Sequence, residues 1–174
     1  PENKLIESDD KIAGALYKEW QEAGLMTITE GSDVDLSIVA DWFYSLYENY
    51  NIKLWKCGYD QRFSKDWLKR MEYYGWFKTG NDESSDVIMI NQNAKTLTNA
   101  IKLTESDFKH KLIFYNNHAV DKWCFGNAGL KVDNSGSLIV KMETKKRIDG
   151  AVCLVILYEM YRRYRTDFKT IVEK

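Results

Sequence analysis

Two aspartates stand where carboxylate chemistry could be done. Asp149 follows the basic triplet Lys145-Lys146-Arg147 and opens a long apolar run, and Asp60 ends the alternating segment 52–59. Hard cations such as Mg²⁺ want carboxylate oxygens converging at roughly 2.1 Å. In two-metal phosphoryl chemistry the ions clamp the attacking and leaving oxygens of an in-line displacement. A strand-end aspartate facing a helix-start aspartate is one way to build such a site. Lys141, Lys145, Lys146 and Arg147 could hold a phosphate backbone beside the metals. Plainer readings stay open on residue type alone: Asp149 as a helix-capping group, Asp60 as a solvated loop acid, and the basic residues as a solvated loop before a helix.

Other chemistries find no support. There is no GxxxxGK[ST] and no GxGxxG, which argues against P-loop nucleotide hydrolysis by this chain. The two histidines, His110 and His118, form no HExxH and read as surface or structural residues. Cys57, Cys124 and Cys153 lie in apolar runs without CxxC spacing and are expected to be buried free thiols of a reducing compartment. A formal net charge of -1 gives no global pull toward nucleic acid, so any DNA contact must rest on local patches. No apolar run reaches membrane-spanning length and no signal-peptide pattern opens the chain. The runs Trp42-Phe43-Tyr44 and Tyr73-Tyr74-Gly75-Trp76-Phe77 read as core and rim packing rather than base-stacking platforms.

The elements that must position these residues follow from periodicity. The 174 residues, 44% hydrophobic and 29% charged, suit one globular domain with a sizeable core. Ser8-Asp9-Asp10 is expected to cap a helix carrying Ile12, Ala15, Leu16 and Trp20, with Gly24 as its stop. Residues 25–29 alternate like a short strand. Leu36, Val39, Ala40, Phe43, Leu46, Tyr47 and Tyr50 trace one face of a helix that Asn51 ends. A strand is predicted over 52–59, then a helix capped by Ser64 with Phe63, Trp67, Leu68, Met71 and Tyr74 on one face. A polar loop over 79–85 leads to a buried strand over 87–90, and Leu97, Ala100 and Ile101 mark the next helix. A brief strand over 112–115 and a helix within 117–127 precede a hairpin over 129–141, turned by Asn134-Ser135-Gly136. The last helix is apolar all round from Ile148 to Leu157, which predicts burial on all sides until Arg162, Arg163 and Arg165. Strands alternating with helices imply an α/β layer built partly on parallel strands. Functional groups in such sheets gather beyond the carboxyl ends of the strands, where Asp60 stands.

With these residues in view, the chain resembles the C-terminal nuclease part of tailed-phage terminase large subunits. The matching stretches run in the family's order: Glu19-Trp20, the segment 24–31 with Val34-Asp35 after it, Gly58-Tyr59-Asp60, Trp123, Asn127, the hairpin, Lys141, and above all Arg147-Ile148-Asp149-Gly150-Ala151-Val152. The resemblance implies an α/β, RNase H-like mixed sheet flanked by helices, truncated at its N-terminal strands. It implies a single nuclease-like domain over 1–174, cut from a longer polypeptide whose ATPase domain lies upstream. Asp60 and Asp149 would be catalytic metal ligands for two Mg²⁺ or Mn²⁺ ions, whose activated water attacks the DNA phosphodiester. The substrate would be double-stranded viral DNA, the partners a terminase small subunit and a portal, and the setting the host cytoplasm, with no membrane. The family's first catalytic aspartate, on an opening strand, has no counterpart here. Asp35 falls where the family starts a helix and takes no such role, and neither does His118, near which the family has Asn-Pro. Two rival readings remain: another RNase H-like nuclease or resolvase, and a non-catalytic interaction domain.

Overall fold

A computed structural model describes residues 1–2, 14–75, 79–80 and 85–172. In chain order its elements are α1 (Tyr17–Glu22), α2 (Ser37–Tyr50), β1 (Cys57–Tyr59), α3 (Lys65–Tyr73), β2 (Thr79–Gly80), β3 (Val87–Met89), α4 (Ala94–Lys109), α5 (Ala119–Gly126), β4 (Ala128–Asp133), β5 (Gly136–Lys141) and α6 (Asp149–Val172). The proposed cap Ser8-Asp9-Asp10, Ile12, Trp76, Phe77 and residues 81–84 lie outside the described residues.

The central strand β3 sorts the molecule into two faces. β1, β3 and β2 form a parallel sheet in that order, with Cys57 opposite Val87 and Thr79 on the other side of Val87. Successive strand residues point to opposite faces. Val87 accordingly joins Ala40 of α2 with Trp67 and Met71 of α3 on one side. Ile88 and Ile90 join Leu97, Ala100 and Ile101 of α4 and Val155, Ile156 and Met160 of α6 on the other. Helices thus cover both faces of a short, fully apolar parallel strand, as such sheets require. This is a mixed α/β fold of small sheets with flanking helices.

The remaining units are pinned by specific contacts. The hairpin β4–β5 pairs antiparallel from Ala128 with Lys141 to Asp133 with Gly136. Its turn end is tied to α4, where the Ser137 N–H donates to Thr98 Oγ1 at 2.8 Å. The short α1 docks on α5 through aromatic edges: Trp20, 4% exposed, lies 5.3 Å from Trp123 between ring centres. Asp41 of α2 accepts from Arg70 Nε at 2.6 Å and Tyr74 Oη at 2.5 Å, joining α2 to the end of α3.

Several expectations are corrected. Residues 25–29 and 112–115 form no strand, and of 52–59 only Cys57–Tyr59 pairs. The segment 112–115 alternates weakly and pairs with no strand among the described residues, and Leu112 and Phe114 stand exposed, Phe114 at 94%. Ser64 takes the N-cap position of α3, but its hydroxyl donates to the Gln61 carbonyl instead of capping the helix. Phe63 is not on the buried face of that helix but 75% exposed. The apolar stretch of α6 is buried on one side only: Val155 and Ile156 face the sheet, while Cys153 and Leu157 are exposed. The three cysteines are free as expected, yet only Cys124 is buried, with Cys57 intermediate and Cys153 exposed.

Candidate active site

The geometry of the candidate site begins with a missing side chain. A Cβ built on Gly58 of β1 would lie 2.7 Å from Ile156 Cγ2 and 2.8 Å from Met160 Cγ. Glycine there lets α6 lie directly on β1. The carboxyl end of β1 then opens beside the first turns of α6, and Asp60 and Asp149, both exposed, line one open cleft of about 880 Å³. Lys141, at the end of β5, and Arg147, just before α6, line it as well.

Each side chain is set by local bonding. Asp60 Oδ1 accepts the Arg62 N–H at 2.9 Å, closing a tight turn as β1 ends. Ile148 precedes α6, and its carbonyl accepts from the Val152 N–H at 3.0 Å, so Asp149 sits in the first turn near the positive end of the helix. The Arg147 carbonyl accepts from Asn127 Nδ2 at 3.0 Å, and the Asn127 carbonyl accepts from the Met142 N–H at 3.0 Å. Asn127 is buried and holds together the two segments that carry Lys141 and Arg147.

The structure brings together four of the six residues singled out as chemical. Lys145 and Lys146 do not line the cleft, and Lys146 Nζ pairs with Glu143 at 3.5 Å. The cleft wall adds residues with no chemical role expected from the sequence. Arg62 and Phe63 stand at its rim, and Lys56 and Cys57 lie deeper. Lys56 is already engaged: its Nζ donates to the Ser85 carbonyl at 2.5 Å and lies 5.1 Å from the Tyr164 ring centre. Burial, with the Cys153 thiol nearby, pushes the Cys57 thiol up to about 12, so it stays protonated and unreactive at neutral pH. Asn127 is one of the residues that carry the terminase resemblance, but the sequence attaches no role to it.

As a metal site the cleft is sparse. Asp60 and Asp149 are its two acidic lining residues, and no group of three or more His, Cys, Asp or Glu gathers for a metal ion among the described residues. One hard divalent cation fits such a donor set, because Mg²⁺ is commonly held by one or two carboxylates with waters and substrate phosphate. No third carboxylate lines the cleft among the described residues, although the Gln92 amide and the Tyr59 hydroxyl add neutral oxygens to its wall.

Comparison with known proteins gives the fold a reference. No protein-family model matches the chain. The crystal structure of the HK97 bacteriophage large terminase superposes with a TM-score of 0.73 at 24% identity, over 90% of this chain and 31% of that one. The fold is similar to part of a phage terminase. Protein YmfN of Escherichia coli (strain K12) is 21% identical over 152 residues, 86% of this chain and 31% of the relative. The chain therefore spans well under half the length of both the terminase and YmfN. Among the described residues, no helix is long and apolar enough to cross a membrane.

Proposed function

We propose that the chain is the metal-dependent nuclease portion of a viral DNA-packaging terminase large subunit, acting on double-stranded DNA within the longer protein. The observation that supports this reading is the shared cleft, where two aspartates from opposite halves of the chain lie with Lys141 and Arg147 in a terminase-like fold. Asp60 and Asp149 hold a Mg²⁺ or Mn²⁺ ion. When bound, the ion polarises a phosphodiester and lowers the pKa of its water. Lys141 and Arg147 supply the positive charge that seats the DNA backbone beside the two acids. Asn127 keeps Arg147 in place through its carbonyl. A terminase small subunit and a portal are the partners this role requires, in the host cytoplasm.

Two carboxylates make a weak site, so this 174-residue chain is expected to bind Mn²⁺ weakly and to cut DNA little or not at all. The test is Mn²⁺ binding by electron paramagnetic resonance on the wild type, Asp60→Asn and Asp149→Asn. The expected outcome is weak binding that both substitutions remove. Equal Mn²⁺ affinity in all three proteins would overturn the assignment and favour an interaction domain.

A further inference from the structure

Phe63 is held in a conformation that costs stability and leaves its ring largely in solvent. Its φ is +62°, a left-handed backbone that bulky residues rarely adopt. Three-quarters of its surface is in solvent, at 75% exposure. The turn that imposes this geometry is built from Asp60 itself, whose Oδ1 accepts the Arg62 N–H, and from Ser64, whose hydroxyl donates to the Gln61 carbonyl. Strain of this kind persists where the surroundings over-determine it, and it gathers at ligand sites.

The ring also stands on a ridge. Phe63 lines the cleft of Asp60 and Asp149, and it lines a second, neighbouring hollow whose charged wall residues are Lys65, Lys69 and Glu72. Cations therefore flank it on both sides: Arg62, Lys141 and Arg147 toward the acids, Lys65 and Lys69 away from them. The Arg62 guanidinium sits 5.1 Å from the ring centre, a cation–π contact that leaves most of the ring open. An exposed aromatic between two cationic stretches is how proteins track a single strand, with charges on the phosphates and a ring beneath a base.

We propose that Phe63 is a positioning residue that stacks on an unpaired base of a DNA strand crossing from one hollow to the other, next to the acids. An intact duplex hides its base faces, so the ring favours DNA that is locally opened. This inference rests on the nuclease reading for its substrate, but not on cleavage.

The test is binding of a fluorescent single-stranded oligonucleotide and the matching duplex in EDTA, with thermal midpoints measured in parallel. Phe63→Gly removes both the strain and the ring. It is expected to raise the thermal midpoint while weakening single-strand binding by about 5- to 150-fold, with the duplex much less affected. Phe63→Tyr is expected to keep the affinity. Unchanged single-strand binding by F63G overturns the proposal, as does an equal loss on the duplex or a lowered thermal midpoint, which would make the ring a packing residue. If Lys141→Gln with Arg147→Gln weakens binding while F63G does not, the Phe63 role fails and the nuclease reading stands. If the wild type binds neither DNA, both fail.

Discussion

The first turn of α6 and its middle carry two carboxylates that the protein treats in opposite ways. Glu159, 1% exposed, accepts from Arg162 Nε at 2.9 Å and Nη2 at 3.0 Å, and from Arg163 Nε at 2.7 Å. Burial alone would push its carboxyl up, but those guanidinium hydrogen bonds outweigh it and hold the group below its ordinary value. Asp149, ten residues earlier on the same helix, is exposed, and its carboxylate makes no hydrogen bond or ion pair with any described residue. Asp60 has one oxygen engaged by its own turn. A charge that serves the fold is neutralised where it lies, whereas Asp60 and Asp149 are left with bonding capacity to spare. The contrast separates acids that hold the molecule together from acids that could act on something else.

The sharpest way to break this contrast is to strip Glu159 of its partners. Arg162→Ala with Arg163→Ala leaves a buried carboxylate unpaired and is expected to cost about 3–5 kcal/mol in urea unfolding. A loss far below that would mean Glu159 has another route to neutralisation, and the distinction would blur. Next in size is Gly58→Ala, where the new Cβ meets Ile156, Met160 and Ile90 Cγ1, the last at 3.0 Å. Overpacking is expected to cost about 1–3 kcal/mol, and by lifting α6 off β1 it should weaken Mn²⁺ binding as well. The pH dependence is smaller. Because the folded pKa of Glu159 lies below its ordinary value of 4.5, its contribution is fully present above that pH. It is lost as the pH falls from 4.5 through the folded value, and the acid limb of the stability curve should flatten in Glu159→Gln. Smallest of all is Asp149→Asn, expected to cost at most about 1 kcal/mol for the charge lost at the start of the helix. A much larger loss in Asp149→Ala, with Asp149→Asn close to the wild type, would return Asp149 to the role of a helix cap.

Much of this was legible because it depended on local pattern. The period of α2 from Leu36 to Tyr50, its stop at Asn51 with φ +54°, the hairpin turned by Asn134-Ser135 and the buried run at β3 all follow from spacing. What failed depended on neighbours. Whether residues 112–115 form a strand is decided by an available edge, which their alternation cannot reveal. The apolar run of α6 suggested burial all round, but Cys153 and Leu157 are apolar because they face a cleft rather than a core. Asp60 and Asp149 could be singled out by type and position, while Asn127, Arg62 and Phe63 gain meaning only from a carbonyl, a turn and a ridge that form when the chain closes on itself. Lys146, a basic residue in the same stretch, pairs with Glu143, a contact that the spacing of the charges does not reveal.

The parallel sheet has a bearing on when the molecule acquires its cleft. The hairpin joins residues that are close in sequence, but β1 must wait for β3, and α6 must find β1 across most of the chain. Closing loops of that size is entropically slow, and contacts between distant segments tend to arrive late in folding. Asp60 and Asp149 are therefore brought together among the last events, after α6 has left the ribosome and docked over Gly58. A nascent or partly folded chain would carry both acids and have no cleft that joins them.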